Sequence, residues 1–310
     1  MTLAVTTSLL GLSAAAIWGI SDFCGGVAAR HLRVFWLLAI SHAFSLTCLL
    51  LAAGILHQSR PDAYLLAWGL CAGLAGGVAL LTFYHALSLG AMGATASISG
   101  LLTAALPVTY TLMTVGAPSP RQLAGFALAA GAIWLISSAP TATSSSPLNT
   151  APLNTALTAD PDRQKKLMLA VISGVGFGIF FIALRQANRG GLIWPLAAAR
   201  VGSLSLALGG GLLFSRNRFT VDATTPKSLR PQAVWKIGVA LSLLAGMCDT
   251  SGNLFFVEAT RTGRLDVAAV LASLYPASTI LLAAWLLKER TSLRQYVGMA
   301  SALVAVVLIS

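Results

Sequence analysis

The 310-residue chain is 56% hydrophobic and only 9% charged, with 20 Lys and Arg against 9 Asp and Glu, a formal net charge of +11. A soluble domain carries roughly a quarter charged residues, so this chain cannot cover a water-facing surface, and its mean hydropathy of +0.81 makes the bilayer the better solvent. The basic excess lies in short gaps between apolar runs, where it orients spans; no basic and aromatic surface is left outside the lipid to bind nucleic acid.

A hydrocarbon core of about 30 Å takes roughly 20 apolar residues in a helix. Runs of that kind fall at 3–27, 34–56, 64–88, 93–115 and 121–138. The first has no Lys or Arg ahead of it and many spans behind it, which predicts a first transmembrane helix rather than a cleaved signal peptide. Residues 138–162 then turn to Ser, Thr and Pro, with the tandem Pro147-Leu-Asn-Thr and Pro152-Leu-Asn-Thr. Too little of that segment is apolar to pack, and it reads as a flexible linker. A second set of runs follows at 167–187, 192–214, 236–259, 265–287 and 293–309.

The two sets are copies. Arg121–Ser137 returns as Arg294–Ser310 with 9 of 17 positions identical at a shift of 173, including an Arg-Gln-x-x-Gly opening that is not apolar filler. At the same shift Ala86, Gly90 and Leu101 meet Ala259, Gly263 and Leu274, while a shift of 159 lays Trp18-Gly19 over Phe177-Gly178. The expected architecture is an all-α, multi-pass protein of the cell membrane with ten transmembrane helices. Residues 1–138 form one five-helix repeat, 139–166 a linker and 167–310 the other. Five spans per half is odd, so the second half enters from the opposite side and the repeats are inverted. Lys and Arg favour the odd-numbered gaps over the even ones by 13 to 6, which puts both termini outside the cytoplasm.

The chain also holds Trp18-Gly19 in its first run, a Ser273-Leu274-Tyr275-Pro276 turn, and Leu287-Lys288-Glu289-Arg290 followed by Gln295 and Gly298. In these residues it resembles the EamA-type ten-helix permeases of the drug/metabolite transporter superfamily. The resemblance implies secondary transport of metabolites, amino acids or drugs through a central cavity between the halves. It also implies an acid after the fourth helix of each half. Glu289 holds that place in the second half, but its first-half counterpart is Gly116.

Ionisable groups at membrane depth are costly and need a partner or a wet cavity. Asp249 stands near the middle of the eighth span, with Asn253 one turn on and Phe256 two turns on, a single helix face. That stripe either lines a solute cavity or, through Asp249, pairs with Arg200, the basic residue well inside a span; both can hold together. Trp18 and Asp22 share a face of the first helix. Tyr84 and His85 sit in the third, each open to packing or cavity roles, with His42 an ambiguous case in the second. Tyr275 follows in the ninth. Pro107 and Pro276 lack an N–H and free a carbonyl in the preceding turn, so they are candidate kinks or gates. Gly69, Gly73 and Gly77 form a small-residue stripe for close helix packing, and Arg185 and Arg189 read as solvated charges.

Cys24, Cys48, Cys71 and Cys248 are scattered through apolar runs with no metal spacing, so no metal or other cofactor is expected. The predicted function is a secondary active permease for a small organic solute, working by alternating access between helices 1, 3, 4, 6, 8 and 9. Its partners are that substrate, membrane lipids and protons as a candidate coupling ion, with homo-oligomerisation left open. A channel or lipid-moving protein is the alternative. An intramembrane enzyme is disfavoured because no HExxH, GxSxG or Ser/His/Asp arrangement is present.

Overall fold

Lipid offers the backbone no hydrogen-bond partners, so a chain that lives there must bond to itself along its whole length. The computed structural model describes residues 3–29, 31–88, 92–137, 163–214, 231–286 and 292–309. Among the described residues the structure is helical throughout, with no strand. The helices of the first half are α1 (Leu3–Ala28), α2 (Val34–Ile55), α3 (Ala63–Ser88), α4 (Met92–Thr114) and α5 (Pro120–Ser137). Those of the second are α6 (Arg163–Ala187), α7 (Ile193–Phe214), α8 (Pro231–Thr262), α9 (Leu265–Ala272), α10 (Tyr275–Leu286) and α11 (Leu293–Ile309). Seven described helical stretches are long and apolar enough to cross a membrane, and three shorter apolar helices accompany them, α9 and α10 counting together. The protein is a multi-pass membrane protein. Large apolar side chains such as Leu51, Ile55, Leu212, Trp285 and Val307 are exposed outward, as lipid contact requires.

The expected ninth span of 265–287 is two helices, not one. Pro276 cannot donate to the Ala272 carbonyl, and the chain breaks at Ser273–Leu274 before restarting at Tyr275. Every residue from Leu265 to Pro276 is buried, which is the condition under which irregular backbone is tolerated at membrane depth. Pro107, by contrast, stays inside an unbroken α4. The sixth span starts at Arg163, earlier than expected, and the eighth is longer at both ends. Linker residues 138–162 and the Leu287–Arg290 junction with Glu289 lie outside the described residues.

Packing runs mostly between the halves. α1 lies against α8, α9 and α10, while α6 lies against α3 and α4; α2 meets α7 and α8, and α7 meets α3. Glycines make these approaches close. Gly73 abuts the Ala199 backbone in α7, and Gly246 abuts the Ser41 backbone in α2. Gly69 lies against Pro195 of the same α7, so the small-residue stripe is a packing seam. Buried hydroxyls bond across: Ser21 donates to the Ala245 carbonyl at 2.9 Å and Ser45 to the Gly246 carbonyl at 2.8 Å.

The Arg-Gln-x-x-Gly opening shared by α5 and α11 has a structural reason. Ser119 and Gln122 form a reciprocal cap, the Gln122 N–H donating to Ser119 Oγ at 3.2 Å and the Ser119 N–H to Gln122 Oε1 at 3.1 Å. Ser292 and Gln295 repeat it at 3.3 and 2.8 Å. This is a capping box at the start of each helix. The glycine then admits the other helix: a Cβ at Gly125 would sit 3.2 Å from the Ala305 oxygen, and one at Gly298 would sit 3.1 Å from the Ala132 oxygen. The start of each helix meets the end of the other, so the pair is antiparallel. Arg121 extends the pattern by donating to the Val307 carbonyl.

One expectation fails on burial. Arg185 is not a solvated charge but half-buried, with Nη1 enclosed and unpartnered. Asp266, in the first turn of α9, is fully buried: Arg264 Nη2 holds its Oδ2 at 2.8 Å, and the Val267 N–H donates to its Oδ1 at 2.9 Å. The same Arg264 donates to the Gly116 carbonyl at 2.9 Å, tying the α8–α9 turn to the α4–α5 turn. Gly116 has φ +105°, a left-handed conformation that suits glycine.

Candidate functional site

In the middle of the bundle, where α1, α3, α4, α6, α8 and α10 converge, lies a cavity. Its lining includes Trp18 and Asp22 from α1, Phe177 and Phe181 from α6, Asp249 and Asn253 from α8, and Tyr275. Phe180, Leu80 and Thr103 complete it. A second cavity adjoins it through Leu80, Phe177, Phe180 and Asp249, and adds His42, Arg200 and Ser203 from α2 and α7. The six spans named from the sequence are the ones that line the first cavity, the ninth through Tyr275, the first residue of α10.

Helical spacing explains the polar side. Asp249 and Asn253 are one turn apart, and Asn253 Nδ2 donates to Asp249 Oδ2 at 3.3 Å. From α7, Arg200 Nη2 reaches Asp249 Oδ2 at 2.6 Å and donates to Thr250 Oγ1 at 3.2 Å. The two readings of Asp249 therefore coincide: it is paired, and it faces the cavity. Its side chain keeps 22% exposure while Arg200 keeps 6%, so the carboxylate is the accessible partner. Asp22 lies within electrostatic range of Asp249, and the Tyr84 hydroxyl donates toward it. Among the described residues no Lys or Arg forms an ion pair with Asp22. Asn253 Oδ1, Arg200 Nε and His42 Nδ1 are buried without a hydrogen-bond partner.

Aromatic rings form much of the remaining lining. Trp18 stacks on Phe181 with centroids 5.4 Å apart, and Phe181 stacks on Phe256 at 4.2 Å. Phe256 is fully buried behind this wall rather than lining the cavity. His85 is half-buried and outside both linings, and Pro107 is likewise outside them. Pro276 acts indirectly, since the break before it sets Tyr275 at the cavity. Phe177, Phe180, Phe181 and Thr103 were not singled out from sequence. The signal existed in the match of Trp18 with Phe177, which places aromatics at one position of both halves.

Residues 164–310 match the EamA-like transporter family. That match takes in the second half of the chain. A crystal structure described only as that of a protein superposes with a TM-score of 0.70, covering 98% of this chain and 97% of its own at 16% identity. At that identity the likeness speaks for the fold alone. No curated protein matches the chain. The match to the second half and the apolar spans along the chain support a membrane protein similar to the EamA-type drug/metabolite transporters.

Proposed function

We propose that this EamA-type protein is a secondary active transporter that carries a small organic solute across the membrane by alternating access between two inverted five-helix repeats. The observation that carries the reading is the cavity itself: two carboxyls, a guanidinium and an amide gathered at the meeting of the helices of a bilayer protein. Polar groups at that depth cost several kcal/mol each when unsatisfied, and a solute path is what makes their retention useful.

Repeat symmetry supports the architecture. At the shifts read from sequence, Trp18 pairs with Phe177, Asp22 with Phe181 and Leu80 with Asn253, and all six line the one cavity. Gly73 and Gly246 match at 173 and make the same kind of backbone contact. Gly125 and Gly298 exchange equivalent contacts in an antiparallel pair, which is what a two-fold axis across the helix direction would produce. A midplane site on such an axis is accessible from either side when one repeat rocks against the other.

The cavity holds only about 50 Å³, against the roughly 300 Å³ or more of sites that take organic ligands. This conformation is contracted, and the helices must part to admit a solute. Uptake into proteoliposomes tests the proposal. Saturable, gradient-dependent flux that is lost in Asp249→Asn is the expected result. Non-saturating flux would replace the carrier with a pore, and chemical conversion of the solute would replace it with an enzyme.

A further inference from the structure

We infer that the solute carries a protonated amine on an aromatic or apolar body, with the amine seated at Asp22 and Asn253 and the body against Trp18, Phe177 and Phe181. The inference rests on the transporter reading and assigns the chemistry of its site.

Three observations carry it. First, the charges do not balance: the two linings hold Asp22 and Asp249 against the single guanidinium of Arg200, which is already committed to Asp249 at 2.6 Å. Asp22 is left with the Tyr84 hydroxyl and no cation among the described residues. Second, two buried atoms of this lining lack partners, the Tyr275 hydroxyl, which can donate or accept, and Asn253 Oδ1, which can only accept. Asn253 is 1% exposed, its Nδ2 is used on Asp249, and its Oδ1 is empty. A carboxyl and a bare carbonyl oxygen in a dry site call for N–H donors with positive charge. Third, polarity is segregated between matched positions. Asp22 and Asn253 face Phe181 and Leu80, their counterparts in the other half. The acceptors come from α1 and α8 and the apolar wall mostly from α3 and α6, so a solute with one donor end and one apolar end has a single orientation.

Arg200 Nε in the adjoining cavity is also unpartnered. A carboxylate on the same solute would find it there, so the amine is the shared requirement of a simple cation and a zwitterion.

Calorimetric titration of the purified full chain with four solutes sharing one phenyl body tests this. They are 2-phenylethylamine, phenylalanine, 3-phenylpropionate and 2-phenylethanol. Both amines are expected to bind at least about ten-fold tighter than the acid and the alcohol, and the ratio of the two amines reads the contribution of Arg200. Asp22→Asn and Asn253→Leu are each expected to remove most of that advantage while leaving the alcohol unchanged. The acid or alcohol matching the amines overturns the inference, as does no binding by any of the four, or an amine advantage that survives in both variants. The wild-type comparison stands even if a variant fails to fold. Binding without saturable uptake would refute the carrier alone; saturable uptake of the acid in preference to the amines would refute the amine alone.

Discussion

Removing one member of the Arg200–Asp249 pair separates its structural from its solute-facing role. At 2.6 Å and an effective dielectric of about 20, the gross attraction is roughly 6 kcal/mol. Most of it offsets the cost of taking two ions out of water. Arg200→Met therefore does more than delete an attraction: it leaves Asp249 facing Asp22 with no counter-charge. The expected cost is about 3–5 kcal/mol. Adding Asp249→Leu removes the stranded charge, and the double variant should recover about half of the loss or more. Reversible unfolding in mixed micelles, followed by circular dichroism, gives both values, and vesicle uptake is measured on the same proteins. The double variant should be stable and inactive. If Arg200→Met costs less than about 1 kcal/mol, or if the double variant still transports, the account of Asp249 as a solute-facing carboxylate is wrong.

Gly73→Val drives a side chain into the Ala199 backbone of α7 and should cost about 1–3 kcal/mol or more. Gly54→Ala, which meets nothing within 4 Å, should be neutral or slightly stabilising; thermal melting in detergent compares them. Arg264→Gln strands the fully buried Asp266 and should lower stability by about 3–5 kcal/mol. Arg261→Gln breaks only the exposed contact with Glu258 at 3.6 Å and should stay within about 0.5 kcal/mol of wild type; equal effects of the two would refute the distinction.

Long apolar runs make the spans legible because nothing else explains them, and the face shared by Asp249 and Asn253 follows from helical spacing alone. The partner of Asp249 was legible too, since Arg200 had nowhere else to go in lipid. Other features depend on tertiary placement. Asp266 sits at a helix start like any surface acid, two residues from Arg264, and only the fold buries it and brings the Gly116 carbonyl to that arginine. Phe177, Phe180 and Phe181 are indistinguishable in sequence from lipid-facing aromatics, because three consecutive turns of α6 offer apolar residues on every side. The break at Ser273–Leu274 was half visible: proline removes a donor, but whether a helix bends or stops depends on what encloses it.

The contrast of Asp22 with Phe181 has a consequence for how such a protein diversifies. On the two-repeat reading, an assembly of identical subunits would have to write every new acid twice, once on each side of its axis, and the like charges would repel. Covalent joining lifts that constraint. One copy is free to acquire charge while its twin stays greasy, and the chamber gains a direction that no symmetric dimer can possess.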